Sequence, residues 1–201
     1  MHYFSASRAN GTICDLFERS RREFVKNYLG KMRGTAVSRA APCWRDALWS
    51  WVGAFVGMTG VGWISAQSMQ THALLMIGSF GATSVLLYAA PESPFAQPRN
   101  VLGGSVLSAL CGVVTWRLLG DSWIAAAVAV STSILIMQLT HTLHPPGGAT
   151  ALIAVIGSGE LHDLGWLYAF FPIGAGCLLM LVVAVLINNL ARHRRYPQHW
   201  L

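Results

Sequence analysis

Charge is scarce in this chain: Asp, Glu, Lys and Arg make up 11% of its 201 residues. A soluble domain carries about 25%, so an ordinary water-facing surface is excluded. Acidic residues are the scarcer sign, 8 against 14 Lys and Arg. No carboxylates pair within the apolar runs, no serine has a His/Asp pattern beside it, and no phosphate-loop motif appears. Enzymatic chemistry therefore has no support and no catalytic residue is assigned. Cysteine is limited to Cys14, Cys43, Cys111 and Cys177, with no CxxC spacing. These four read as small packing residues, and neither a metal site nor a cofactor is implied. An early apolar core is also missing from the N-terminus, so no cleaved signal peptide is expected.

What is present is hydrophobic: 54% of residues are apolar and the mean hydropathy is +0.48. That composition describes an integral membrane protein. Nine of the 14 basic residues lie in 1–45, and Arg192, Arg194 and Arg195 follow the last apolar stretch. Only Arg99 and Arg117 fall between. The positive-inside rule then places both termini in the cytoplasm, which requires an even number of crossings. The charge flanks apolar segments, so its partner is the lipid bilayer rather than nucleic acid. Residues 13–32 can present Ile13, Leu16, Phe17, Phe24, Tyr28 and Met32 on one broad face, with Arg19, Arg21, Arg22 and Lys26 elsewhere. This predicts an amphipathic helix lying in the interface.

Six apolar segments follow, at about 46–66, 72–90, 101–119, 123–142, 146–157 and 166–190. The fifth is too short to cross a bilayer unaided, because a crossing needs about 20 residues. It is expected to be a half-helix or a short helix buried among the others. A Gly-Ala-Thr triplet occurs at Gly81-Ala82-Thr83 and again at Gly148-Ala149-Thr150, each opening an apolar run; Gln70-Thr71-His72 and Gln138 to His141 precede them. Two three-segment halves must run in opposite senses, so the pattern predicts an inverted repeat. The expected organisation is a basic segment 1–45, a membrane domain 46–190 and a basic cytoplasmic tail 191–201.

The densest break in the apolar pattern is His144-Pro145-Pro146-Gly147-Gly148-Ala149-Thr150. Proline pushes the residue before it out of the α region, so the fourth helix should stop near Leu143. Pro146 suits the first turn of a new helix. The amides of Gly147, Gly148, Ala149 and Thr150 would then lack helical partners and form a cradle for an anion. His144 and the Thr150 hydroxyl could add donors, and His144 could carry a proton if its pKa lay near neutrality. A tight helical corner with a satisfied histidine is the alternative. Gly81, Ala82 and Thr83 are the counterpart in the first half, as ligand contacts or as packing residues. Arg99 and Asn100 open the third helix, where Arg99 either attracts an anion or pairs with Glu92 or a lipid phosphate. His141 and His144 can share one helix face, but no third metal ligand is evident.

Three stretches carry a resemblance: Gly78 to Thr83, Ala90 to Asn100, and above all Leu143-His-Pro-Pro-Gly-Gly-Ala-Thr-Ala-Leu152. Over about residues 45–190 the chain resembles the HPP family of integral membrane proteins. The resemblance implies at least four crossings and a transport role, with nitrite the substrate associated with plastid and cyanobacterial members. It carries over His144, Pro145, Pro146, Gly147 and Gly148, together with Gln97, Pro98, Arg99 and Asn100.

The expectation is an all-α polytopic protein, not an enzyme, with about six membrane segments in two inverted three-helix repeats. It would pass a small inorganic anion, nitrite or another monovalent one, across a bacterial inner membrane. The alternative is a membrane scaffold or sensor subunit packing against partner helices. The glycine faces at Gly103, Gly104, Gly174 and Gly176 permit homo-oligomers.

Overall fold

A computed structural model describes residues 20–26, 43–67 and 78–200, without the side chains of 65–67. The chain divides into two compact units, Met1–Ala41 and Pro42–Leu201. In the first, 20–26 is an exposed helical stretch; the remainder of the amphipathic helix expected over 13–32 lies outside the described residues. Gln70-Thr71-His72 also lies outside them.

The second unit is helical among its described residues. α1 is Trp44–Gln67, with Asp46 in its first turn, where the helix dipole favours a carboxylate. α2 is Gly78–Ser84, continued by a π-helical turn at Val85–Ala89. α3 opens on a π-helical turn at Asn100–Gly104 and runs on as Ser105–Leu119. Gly120 ends it at φ 70°, a left-handed conformation that favours glycine. Ser122 then caps α4, Trp123–Leu139, by accepting from the Ala125 amide at 3.1 Å. α5 is Pro146–Ile156 and α6 is Gly159–Leu164. α7 begins with a π-helical turn at Ala169–Gly174, bent at Phe171 beside Pro172, and continues as Ala175–Leu190.

Three of these are long and apolar enough to cross a membrane: Trp44–Ile64, Asn100–Leu119 and Ala169–Leu190. Trp123–Leu139 and Pro146–Ile156 are shorter apolar helices. The 11 residues of α5 extend only about 16 Å at 1.5 Å per residue.

α1 packs along α7 and against α2; α4 packs along α3 and against α5; α2 meets α5, and α3 meets the start of α7. Hydrogen bonds gather the starts of α1, α3 and α5 with the ends of α2, α4 and α7 at one end of the bundle. That end holds Arg45, Arg99, Arg192, Arg194 and Arg195, and is called the basic end below.

The segment expected to be a free tail after residue 190 is part of this core through residue 198. The Arg194 side chain, 9% exposed, donates to the Asp46 carbonyl at 2.6 Å, Ser50 Oγ at 3.0 Å and the Tyr88 carbonyl at 3.0 Å. Longer bonds of 3.3 Å reach Asp46 Oδ1 and Asn188 Oδ1. One guanidinium therefore ties α1, α2 and α7 together, and a charged fork bonded this fully is stronger than neutral pairs would be. Tyr196 donates its hydroxyl to the Ala96 carbonyl at 2.6 Å, and the Gln198 amide donates to Gln97 Oε1 at 2.9 Å.

Small residues set how closely the helices approach. A Cβ on Gly104 would lie 2.4 Å from the Thr142 carbonyl oxygen and 2.8 Å from His144 Cβ. A Cβ on Gly112 would lie 2.6 Å from both the Ala151 carbonyl oxygen and Ala154 Cβ. Gly81 has nothing within 4 Å of that position. Gly104→Ala should therefore destabilise the protein by about 2–3 kcal/mol through overpacking. Gly81→Ala should stabilise it by about 0.5–1 kcal/mol through helix propensity. Unfolding of the two variants in mixed micelles measures both shifts, and equal shifts would remove the distinction.

Candidate functional site

The connection from α4 to α5 is irregular over residues 140–145. α4 stops at Leu139, four residues short of the expected Leu143. The physical reason is local: His141 takes a left-handed φ of 55°, and the Thr140 hydroxyl bonds the Ile136 carbonyl at 2.8 Å and Thr142 Oγ1 at 2.8 Å. His141 is exposed and His144 is fully buried, so the two histidines share no helix face.

His144 joins three segments. Its Nδ1 lies 2.8 Å from the Phe95 carbonyl oxygen, which can only accept, so Nδ1 carries the proton. Nε2 is then an acceptor, and the Thr83 hydroxyl donates to it at 3.0 Å. The ring is held neutral. His144 sits in the connection, outside the membrane-spanning helices, and burial pulls its pKa down to about 4 against the opposing pull of the Phe95 carbonyl. The expected proton carrier is therefore uncharged at neutral pH.

Arg99 and Asn100 stand beside the same connection and cap it. Arg99 Nη2 donates to the Thr140 carbonyl at 3.0 Å, and Asn100 Nδ2 donates to the Leu143 carbonyl at 2.9 Å. Both carbonyls lie past the end of α4, where no helical donor follows.

The amides expected to be free are partly engaged. Gly147 N–H donates to the His144 carbonyl at 2.8 Å, and Gly148 N–H to the Pro145 carbonyl at 3.1 Å. Ala149 and Thr150 lie inside the regular helix, and the Thr150 hydroxyl turns back to the Pro146 carbonyl at 3.2 Å. Gly147 is needed for closeness: a Cβ there would lie 2.6 Å from Ser108 Oγ and 3.0 Å from Met137 Sδ. Of the first-half residues, Thr83 reaches the break, whereas Ala82 is exposed and Gly81 faces open space.

Ser108 is the residue that sequence reasoning missed. It is 0% exposed, and its hydroxyl is the buried side-chain oxygen without a hydrogen-bond partner among the described residues. Gly104, Ser108 and Gly112 recur every four residues, so the stripe was visible as a close-packing face. Nothing in that spacing separates an unsatisfied hydroxyl from an ordinary small residue. Tyr168, whose hydroxyl donates to the Thr150 carbonyl at 3.1 Å, also had no signal.

The His144 pKa sets a pH dependence. The folded value, about 4, lies below the ordinary imidazole value of 6.5, so the unfolded chain binds more protons between them. The stability that His144 contributes should be complete above pH 6.5 and fall progressively as pH drops toward 4. The difference in unfolding free energy between wild type and His144→Gln isolates this effect from the carboxylates. It should be constant above pH 6.5 and shift against the wild type below it.

The family model for the HPP transmembrane region matches residues 39–197. A transmembrane protein of Dictyostelium discoideum is 39% identical over 184 residues, covering 88% of this chain and 64% of that protein. A second transmembrane protein of the same organism is 38% identical over 178 residues, covering 86% of this chain and 57% of its own length. The chain thus spans about three fifths of the length of these relatives. No solved structure matches. The match takes in the helices α1 to α7, the His-Pro-Pro-Gly-Gly break and the folded segment after residue 190. The chain belongs to the HPP transmembrane family.

Proposed function

We propose that this protein carries a small monovalent anion, with nitrite as first choice, across the membrane at the junction of α3 and α5. The observation that carries this reading is the Ser108 hydroxyl, buried against Gly147 at the start of α5 with no hydrogen-bond partner among the described residues. A helix N-terminus is electropositive, and a hydroxyl donor beside it suits an anion. The bonds of the Gly147 and Gly148 amides span only three residues. An arriving anion can exchange them for its own oxygens and accept from Ser108 as well. His144, Ala149, Thr150, Thr83, Arg99 and Asn100 shape and hold this junction, with Gly81 and Ala82 on the adjoining helix. Nitrite rests on the family resemblance, since the geometry selects only the sign of charge.

Six crossings in two inverted halves fit this function. Exchanging α1 with α4, α2 with α5 and α3 with α7 maps the packing pairs onto one another. α3 and α7 both open on a π-helical turn. Paired irregular helix starts of this kind across a repeat are in keeping with a transporter, where such irregularities adjoin the site. The basic end, with the arginine-rich flanks, would face the cytoplasm of a bacterial inner membrane. In keeping with the transport reading, the protein is read as a non-enzyme without a cofactor. The second reading, a scaffold or sensor subunit, draws on the small face at exposed Gly78 and Ala82 and half-buried Gly81, which suits a partner helix or a second copy.

Proteoliposome flux of nitrite, nitrate, formate and chloride tests the proposal. Transport requires selective flux, together with thermal stabilisation of the purified protein by the transported anion. Ser108→Ala should fold at least as stably as wild type, because an unsatisfied buried hydroxyl costs about 1–3 kcal/mol. The same variant should lose most of the anion's stabilising effect. Equal and negligible flux for all four anions would sink transport and leave the scaffold reading.

A further inference from the structure

The end of the bundle opposite His144 carries side chains that the transport reading does not use. α3 ends with Trp116 and Arg117, the turn contributes Gly120 and Asp121, and α6 contributes His162; together they line an open cavity of about 670 Å³. Trp116 and His162 stack with ring centroids 4.0 Å apart and planes 17° from parallel. His162 Nε2 lies 3.2 Å from the Val155 carbonyl oxygen, to which it donates. When the ring is neutral, Nδ1 is then a lone-pair acceptor.

Arg117 is the only Lys or Arg between residues 100 and 191. Its guanidinium lies over the Trp166 ring, 5.2 Å from the centroid. A Cβ at Gly165, where φ is 50°, would come within 2.9 Å of its Nη2, so glycine leaves room for the fork. Asp46 forms ion pairs with His193 and Arg194 at the basic end. Among the described residues the Arg117 and Asp121 side chains share no such pair, and neither side chain makes a hydrogen bond. The guanidinium thus lies over an aromatic ring, and among the described residues neither its donors nor the Asp121 carboxylate beside it has a partner. Trp123 is 81% exposed and Trp166 is 48% exposed, with Leu118 and Leu119 exposed beside them. Exposed tryptophans next to exposed leucines mark the headgroup boundary of a bilayer.

The cavity therefore offers one fixed cation, one carboxylate and one neutral acceptor at headgroup depth. A ligand that satisfies all three is zwitterionic, with an oxyanion and an N–H cation. We propose that this cavity binds the headgroup of an ethanolamine phospholipid, its phosphodiester on Arg117 and its ammonium on Asp121 and His162 Nδ1. Arginine meets a phosphodiester with two parallel donors, which a lysine cannot reproduce. A choline headgroup has no N–H to donate and binds less well. The site stands independently of the transport reading, because it uses none of the groups around His144.

Short-chain lipids in maltoside micelles provide the test, using the full chain and the fluorescence of its tryptophans. Dihexanoylphosphatidylethanolamine should bind saturably and more tightly than the choline and glycerol analogues. Arg117→Gln should weaken that binding by about tenfold or more, and Arg117→Lys should recover part of it. Asp121→Asn should abolish the preference for ethanolamine over glycerol. The assignment is overturned if no lipid binds, or if Arg117→Gln leaves ethanolamine-lipid binding unchanged. Saturation by inorganic phosphate or nitrite at equal or lower concentration would overturn it too, and would identify a free-oxyanion site instead.

Discussion

Everything at the basic end depends on satisfying a broken backbone where little water can reach it. The left-handed His141 and the Pro145 that follows His144 take the α4–α5 connection out of the helical ladder, and a buried carbonyl or amide left unpaired costs several kcal/mol. The chain meets this demand from distant segments. Arg99 and Asn100 take the carbonyls of Thr140 and Leu143. His144 takes the Phe95 carbonyl from the connection between α2 and α3. Each irregular segment thus supplies the partner the other lacks. The requirement is mutual, so neither break can relax alone.

Close approach makes these bonds geometrically available. Asn100 reaches Leu143 because Gly104 lets α3 lie against Thr142 and His144 without a side chain between them. Gly147 and Gly112 continue that contact along α5. Lipid tails are as apolar as these helices, so burial alone gives little drive to association and packing of small residues must supply it. Arg194 fastens the other group of helices, α1, α2 and α7. Tyr196 and Gln198 then tie the segment after α7 to the connection between α2 and α3. At the opposite end, Trp116 stacks on His162 and the Arg117 guanidinium lies over the Trp166 ring.

Much of this organisation was legible in the residues. The runs that became α1, α3 and α7 stand out because a bilayer demands long apolar stretches, and the His-Pro-Pro-Gly-Gly break stands out because helices exclude it. The short α5 followed from the same count. What stayed hidden depends on three-dimensional pairing. Arg194 and Tyr196 look like members of a basic tail, and only the fold brings Asp46 and Ala96 to them. Arg99 was readable as a charge but not as a cap, because Thr140 lies 41 residues away. The amides of Gly147 and Gly148 were expected to be open because the usual rule counts only i−4 partners. Here the turn at Pro145 and Pro146 supplies acceptors three residues back.

That last difference alters how an anion would be recognised, on the transport reading. A cradle of free amides would be a standing site, occupied whenever an ion arrived. Amides held by three-residue bonds, beside an orphaned hydroxyl, form a site that must be opened first. The cost of opening is modest, because each bond given up is replaced by one to the ion. Ser108, by contrast, gives up nothing and gains its first partner. The hydroxyl therefore contributes most of the difference between the empty and filled states. His144 contributes shape rather than charge, since a neutral ring bonded on both sides leaves the electropositive helix end as the main attraction for a negative ion.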